Sequence, residues 1–402
     1  MSTQQTTAQD VKAEDRLSGT AWALALVPLV LLGLVLAYVV TTGGGLTELA
    51  GPPIEQVTIQ RITLPEHGVI QVEVVNDGPQ PVTIPQVLVD EAYWAFTAEP
   101  SNTIPRLGRA VFTIPYPWVT AEAHEITLIT ELGATFSAEI PVAVETPAPS
   151  ATFLAQFGLV GFYVGIVPVF LGMLWYPFMR RLSRQAMNFI LSLTVGLLVF
   201  LAVGTWFDAL EFAEGLPAFW QGVPMVIFVA LIALGALLAV GTFRRGGERT
   251  PLSIAYQIAL GIGLHNLGEG LAIGAAFALG EAALGTFLIL GFTLHNITEG
   301  VGIAAPILRK NPGLRHFALL LLLAGGPAII GTWVGGFAFN PVLATIFLAV
   351  GVGAILQVVW EVGRLVTQES KRLDQPVLNW VNLGGLVAGL AVMYFTAFLV
   401  KF

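Results

Sequence analysis

Two kinds of hydrophobic pattern divide the chain: long apolar runs, and one region in which apolar and polar residues alternate. The first apolar run, residues 21–40, carries no charge and is long enough to cross a bilayer as a helix. It predicts an uncleaved transmembrane anchor, preceded by a polar cytoplasmic tail at 1–20. A cleaved signal peptide is the alternative, but the run is long for one, and the sequence continues as TTGGG without a typical cleavage motif.

The alternating region covers residues 46–145 and includes VTIQRITL, GVIQVEVVN and RAVFTIPY. A period of two is typical of strands buried on one face. Turn-forming residues such as Asn76-Asp77-Gly78-Pro79 separate the segments. About seven short strands predict a small extracytoplasmic β-sandwich, and residues 146–152, which include TPAPS, are predicted to be a linker.

From residue 153 the apolar runs return and predict eight membrane-spanning helices within a domain at 153–400. We expect them at about 153–174, 187–210, 223–243, 252–278, 282–308, 316–338, 342–363 and 378–400. The anchor would make nine spans.

The composition agrees with a membrane protein and excludes a mainly soluble enzyme. Hydrophobic residues make up 55% of the chain and charged residues 11%, against about 25% charged in soluble domains. The 44 glycines predict close helix–helix contacts in lipid. The absence of cysteine excludes disulfides, iron–sulfur clusters and thiolate zinc sites. The net charge of −8 argues against a nucleic-acid partner.

The basic residues predict the orientation in the membrane. If the tail is inside and the β-domain outside, 14 of the 18 basic residues fall in inside segments, and the short outer loops hold none. The 14 are Lys12, Arg16, Arg180, Arg181, Arg184, Arg244, Arg245, Arg249, Arg309, Lys310, Arg315, Arg364, Lys371 and Arg372. The C-terminus is then extracytoplasmic, and the expected location is the cell (inner) membrane.

One polar phrase, H-N-x-x-E-G, occurs twice inside the predicted spans. Span four carries His265, Asn266 and Glu269, and span five carries His295, Asn296 and Glu299. Positions i and i+4 share one face of a helix, so each helix offers an imidazole and a carboxylate at one point, with an amide beside them. The connecting turn is expected near Gly280, 15 residues from each motif histidine, which places both motifs at one depth.

Two imidazoles and two carboxylates that converge in a dry interior indicate a divalent-metal site. Nitrogen and carboxylate ligands without sulfur suit Zn²⁺, Fe²⁺, Mn²⁺ or Co²⁺. The alternative is packing, with a hydrogen-bonded histidine or a protonated glutamate that is structural or carries protons. A membrane metalloprotease would need H-E-x-x-H, and neither motif has the second histidine.

On these motifs, residues 153–400 resemble the ZIP (Zrt/Irt-like) family of divalent-metal transporters, especially its bacterial members, which have eight spans and H-N-x-P-E-G-type motifs on spans four and five. The resemblance implies a binuclear-type site between these helices. It places His265, Glu269, His295 and Glu299 at the main transport site and Asn266 and Asn296 at an adjoining second site. The expected fold is a polytopic α-helical membrane protein: an eight-helix ZIP-like bundle, an N-terminal transmembrane anchor and a small all-β sandwich domain.

The chain departs from the family pattern at three places. Gly268 and Thr298 replace the proline before each motif glutamate; the glycine still allows a bend, and the threonine can bond a freed carbonyl. In span six, Gly326 precedes Pro327 where many bacterial members have a carboxylate. We therefore expect one tightly held ion per chain, and a second after Gly326→Glu. The loop RRGGERT lacks the histidines of a metal-sensing loop.

Two further polar sets are candidates for the entry and exit of the ion. Asp208, Glu211 and Glu214 form a row at the outer end of span two that could attract cations, or they are an ordinary solvated helix end. Gln357 and Glu361 near the inner end of span seven could line an exit, unless Glu361 only pairs with Arg364.

The expected function is movement of a divalent metal into the cytoplasm, with the ion as substrate and zinc favoured over iron, manganese and cobalt; no enzymatic activity is expected. One alternative is a metal-sensing receptor that signals through the β-domain. Another is an intramembrane metalloenzyme with one glutamate as general base. The expected partners are metal ions and the lipid bilayer; a homodimer and the partner of the β-domain are left open.

Overall fold

The computed structural model describes residues 19–42, 54–148, 150–243, 250–279, 282–338 and 340–400. The chain divides into two compact units, Met1–Ile54 and Glu55–Phe402. Three predicted features lie outside the described residues: the tail at 1–20, except for residues 19 and 20, the loop at 244–249 and the turn at Gly280.

The first unit contains one apolar helix, α1 (Gly19–Thr42), with Pro28 inside it. Its described apolar part, Leu26–Val39, is shorter than the helices that qualify as membrane spans. The described residues contain an apolar helix there and show no separate membrane-spanning anchor, so the anchor at 21–40 stays a prediction.

Ten strands follow at the start of the second unit, three more than the alternation predicted. They are β1 (Val57–Thr63), β2 (Ile70–Asn76), β3 (Val82–Thr83), β4 (Gln86–Val89), β5 (Ala92–Trp94), β6 (Thr97–Glu99), β7 (Thr103–Ile104), β8 (Arg109–Ile114), β9 (His124–Ile129) and β10 (Thr135–Ile140). Four of the ten strands, β3, β5, β6 and β7, have only two or three residues, too short to show a period of two.

Two antiparallel sheets share the apolar core of this β-domain. Their strand orders are β1-β2-β8-β6 and β10-β9-β4-β5, and β3 pairs with β7 separately. Val72 and Phe112 of the first sheet and Val87 and Leu128 of the second are buried in the same cluster. The packing of two sheets over one core confirms the predicted sandwich.

A tight hairpin turn at Asp90 and Glu91 joins β4 to β5. Both residues have positive φ, 50° and 65°, as a two-residue type I′ turn requires. The Asp90 carboxylate accepts hydrogen bonds from the Tyr116 hydroxyl (2.6 Å) and the Glu125 backbone N–H (2.9 Å), and lies 2.8 Å from Nδ1 of His124. Burial opposes the charge of Asp90, but these bonds outweigh it and lower the pKa of the carboxyl group.

The remainder of the second unit is helical. Its α-helices are α2 (Ala151–Gly161), α3 (Val167–Leu174), α4 (Tyr176–Met179), α5 (Arg184–Glu214), α6 (Gly222–Phe243), α7 (Pro251–Ala278), α8 (Ala282–Ala304), α9 (Leu314–Phe337), α10 (Pro341–Arg372) and α11 (Trp380–Val400). A π-helical turn at Phe162–Ile166 joins α2 to α3, and short 3₁₀ turns lie at Ala218–Trp220 and Ala305–Ile307.

Among the described residues, eight helical segments are long and apolar enough to cross a membrane, which confirms the predicted number of spans in this domain. The first runs through α2–α4, and the other seven are formed by α5 to α11. Helix α10 continues well beyond the predicted end at residue 363, because its last turns are polar while hydropathy reports only the apolar part.

Glycines allow α7 and α9 to pack with their backbones in contact. A Cβ at Gly270 would overlap the Ala328 carbonyl, and one at Gly335 would overlap the Leu271 carbonyl. Helices α3 and α8 meet in the same way at Gly172 and Gly300. Small residues at such seams let membrane helices approach closely, so the two helices that carry the repeated motif are fixed by α9 and α3.

The turn at Asp90 gives a prediction for the β-domain. The hydrogen bond to Asp90 is the main cause that raises the pKa of Tyr116 to about 12. A raised pKa stabilises the folded state below the unfolded value of about 10, and this contribution is lost as the pH rises toward 12. Ultraviolet titration should show a late tyrosinate step that Tyr116→Phe removes and Asp90→Asn moves toward pH 10. A titration midpoint of Tyr116 that is unchanged in Asp90→Asn would contradict this account.

Candidate metal centre

The two copies of the H-N-x-x-E-G motif face each other across α7 and α8. All six motif side chains are buried, and the most exposed, His295, is only 7% accessible. The ring centroids of His265 and His295 lie 6.5 Å apart. The structure thus brings the two motifs to one depth, as the symmetric spacing about residue 280 predicted.

Glu269 lies at the centre of this group. Its Oε1 is 2.9 Å from Nε2 of His265 and 2.7 Å from Nε2 of His295. Its Oε2 accepts a hydrogen bond of 3.0 Å from Nδ2 of Asn296. One carboxylate of α7 therefore contacts a histidine of its own helix and both a histidine and an amide of α8.

The two asparagines connect the motifs to neighbouring helices. Nδ2 of Asn296 also donates to the Val164 carbonyl (3.0 Å), which lies in the π-helical turn of the first span. Nδ2 of Asn266 donates to Oε2 of Glu299 (3.2 Å) and to the Ala324 carbonyl of α9 (3.1 Å). These bonds fix the amides, and each amide oxygen stays without a hydrogen-bond partner among the described residues.

Four polar atoms at the centre have no hydrogen-bond partner among the described residues. They are Nδ1 of His265, Oδ1 of Asn266, Oδ1 of Asn296 and Oε1 of Glu299. Unmet buried acceptors are costly, and they occur where an ion or water is to be bound. Three ligand atoms lie within 4.8 Å of one another, one each from His265, His295 and Glu299, which is close enough to hold a metal ion.

Comparison with protein families agrees with this geometry. Residues 247–397 match the family model described as ZIP zinc transporter, a segment that holds both motifs. This segment is similar to ZIP zinc transporters. Members of the family are transporters rather than enzymes, so metal transport is the activity that the match suggests. The likeness to bacterial ZIP members stays a prediction, and no curated protein matches the chain.

Neither replacement of the family proline, Gly268 or Thr298, breaks its helix. Helix α7 continues through Gly268, where an added Cβ would meet only ordinary contacts of 3.6 Å or more. In α8, the hydroxyl of Thr298 donates to the His295 carbonyl at 2.6 Å. That bond agrees with the predicted role of Thr298.

The structure corrects the expectation that Gly326→Glu would add a metal ligand. A Cβ at Gly326 would meet no described atom within 4 Å. Leu322 and Ile330, one turn before and after it, are more than half exposed. Residues four apart share a helix face, so a side chain at 326 would point away from the site. The glycine that faces the first span is Gly325, whose Cβ would overlap the Gly165 backbone.

The residues proposed for entry lie beside the motifs. A cavity of about 180 Å³, here called the site cavity, is lined by His265, Glu269 and His295 and also by Asp208. A second cavity of about 430 Å³, the vestibule, shares Asp208, Ala272 and Leu288 with it and is lined by Glu211. The described lining of neither cavity includes Glu214, which is exposed at the end of α5.

The residues proposed for exit lie on α10, toward the opposite end of the bundle. Gln357 is buried against Gly261, one turn along α7 from His265, and neither of its amide atoms has a hydrogen-bond partner among the described residues. Glu361 is buried one turn further along α10. Both side chains therefore offer oxygen atoms between the motifs and the end of α10.

Sequence reasoning missed two contacts with the motifs, those of Val164 in the first span and of Gly351 in α10. The Val164 carbonyl is available because a π-helical turn interrupts the α-helical pattern, and such turns are frequent at functional sites. Gly351 of α10 lies against His265, so that an added Cβ would be 3.6 Å from Nδ1 of the imidazole. An apolar run signals neither feature.

The geometry predicts one tightly held divalent ion per chain, with or without Gly326→Glu. A second ion about 4 Å away would be repelled by several kcal/mol, and α9 offers it only the Ala324 carbonyl. Metal content of the desalted full-length protein should stay near one equivalent in Gly326→Glu and fall in His265→Ala. Two equally tight ions in the unmutated chain, both lost in His265→Ala, would contradict a mononuclear site.

Proposed function

We propose that this protein moves a divalent metal ion, zinc before iron, manganese or cobalt, into the cytoplasm through the site between α7 and α8. The observation that supports this proposal is the convergence of two histidines and two glutamates on one buried point, with ligand atoms still unused. The proposal divides the chain as predicted, into a β-domain at 46–145, a linker at 146–152 and a transport domain at 153–400.

The charges at the two ends of the bundle support the inward direction. At one end, Glu369 of α10 pairs with Arg184 (3.4 Å), Arg309 (3.7 Å) and Arg372. Asp208 and Glu211 lie at the other end of α5, on the side of the β-domain. Basic residues favour the cytoplasmic side of membrane proteins, so the acidic end and the β-domain are extracytoplasmic in this proposal.

In the proposed path, a hydrated ion reaches the vestibule, where Asp208 and Glu211 raise the local concentration of cations. It then loses water in the site cavity and binds His265, His295, Glu269 and Glu299. Because metal ligands must be deprotonated, contacts to the ion replace the short contacts between Glu269 and the two imidazoles as the ion binds.

Exit toward the basic end uses Gln357 and Glu361. The amide oxygen of Gln357 and the carboxylate oxygens of Glu361, one turn further along α10, replace the imidazole ligands one after the other. Passage through several sites lets an ion leave a tight site. Asn266 and Asn296 act as positioning residues, because each donates its N–H bonds to a motif glutamate and to a neighbouring backbone carbonyl.

The ligand assignment predicts that single substitutions abolish transport. His265→Ala and Glu299→Ala should reduce zinc uptake into proteoliposomes to background, because each removes a ligand that no neighbour replaces. His67→Ala and Glu66→Ala, on exposed residues of the β-domain, serve as matched controls and should transport normally. Membrane insertion of all four should be intact, since removing a buried charge does not hinder insertion.

Three outcomes separate the candidate functions. Uptake at the unmutated rate in His265→Ala or Glu299→Ala would refute the site. Stoichiometric binding without uptake in the unmutated protein would favour a metal-sensing receptor. Turnover of peptides or lipids that Glu299→Gln abolishes would favour an enzyme, contrary to the family.

A further inference from the structure

An edge strand of the β-domain borders the vestibule. The described lining of this cavity includes Asp208 and Glu211 of α5, residues at the facing ends of α7, α8 and α10, and two residues of β1, Ile59 and Gln60. The cavity through which the ion is proposed to enter is thus closed on one side by a domain that lies outside the residues matched to the ZIP family.

A β-bulge lies at this point of β1. Ile59 pairs with Val74 and Arg61 pairs with Glu73, so Gln60 is an extra residue between consecutive partners in β2. A bulge changes the direction of side chains and bends the strand. Strand β1 is at the edge of its sheet, so its unpaired side is free to border another part of the protein.

The bulge also separates the neutral Gln60 from the charged Arg61. A cavity of about 200 Å³, here called the junction cavity, lies between β1, β10 and the end of α7, and both residues line it. Only Gln60 also lines the vestibule, together with Ile59. Gln60, whose amide oxygen can replace water around a divalent cation, therefore lines the vestibule with Asp208 and Glu211, and Arg61 does not.

Two sets of hydrogen bonds hold the β-domain in this position. Oδ2 of Asp77 accepts from the backbone N–H of Ala218 (3.0 Å), at the 3₁₀ turn that precedes α6. The end of β1 is tied to the linker, because Leu64 exchanges hydrogen bonds of 2.8 and 2.9 Å with Thr146.

The linker leaves little freedom beyond these bonds. The five residues from Thr146 to Ala151, where α2 begins, can span at most about 18 Å. The β-domain therefore stays close to the ends of the helices.

We propose that β1 forms the roof of the ion's entry path, and that the ion passes Gln60 on its way to Asp208. This inference rests on the proposed transport function. It assigns the β-domain a role in access: the width of the opening beside Gln60 sets the rate at which ions reach the site, and a bulky group at this position closes the path.

The absence of cysteine from the chain makes a direct test possible. Gln60→Cys and Thr58→Cys each introduce one thiol in β1; Thr58 has the same exposure class but is not among the residues that line either cavity. Proteoliposomes are treated with a bulky methanethiosulfonate, and mass spectrometry verifies complete modification.

Zinc uptake should be lost in modified Gln60→Cys, restored by a reductant, and unchanged in modified Thr58→Cys. Full zinc uptake by completely modified Gln60→Cys would refute the proposal that β1 borders the entry path.

A second measurement does not need transport. Ala272→Cys places a thiol where the vestibule and the site cavity meet. A small cationic thiol reagent should label it severalfold more slowly in detergent when Gln60→Trp is added, but not when Thr58→Trp is added. Equal labelling rates in the two variants would refute the proposal that β1 borders the entry path. Slower labelling with Gln60→Trp in a protein that takes up no metal would support the position of β1 and refute transport.

Discussion

A carboxylate buried in the interior of a membrane bundle must find its partners within the protein, and the bonds of Glu269 meet this requirement. Its two oxygens contact both histidines and one asparagine of the repeated motif. Because these partners lie on α7 and α8, the two helices cannot slide or rotate independently without breaking bonds to a buried charge. Loss of one partner of such a group costs several kcal/mol, so the group fixes the register of the bundle as well as the site.

The backbone contacts around the motif follow from the same constraint. Ligands from two helices meet only if each helix is held at a fixed depth, and here the holding helices are α9 for α7 and α3 for α8. Glycine seams bring those backbones together, and the carbonyls of Val164 and Ala324 accept the second N–H of each motif asparagine. The site is thus positioned from outside by helices that carry none of the six motif side chains.

The sequence predicted the eight spans, the sandwich and the meeting of the two motifs, because each depends on a periodic pattern or a symmetric spacing. It could not predict the π-helical turn at Val164, which lies inside an apolar run without any charged residue. The sequence also could not predict that position 326 points away from the site, because a position in a motif does not show how the helix is rotated about its axis. The anchor at 21–40 stays a prediction: the described residues form an apolar helix there, α1, without showing a separate membrane-spanning segment. The contact between β1 and the vestibule depends on one bulge at Gln60, which the alternating pattern does not mark.

The central claim, that both motif histidines bind one ion, is tested most directly by X-ray absorption spectroscopy of zinc bound to the full-length protein. The account predicts a shell of nitrogen and oxygen atoms with two imidazoles at about 2.0–2.1 Å, reduced to one imidazole in His265→Ala and in His295→Ala. A zinc shell with no imidazole, or one that neither substitution changes, would contradict it.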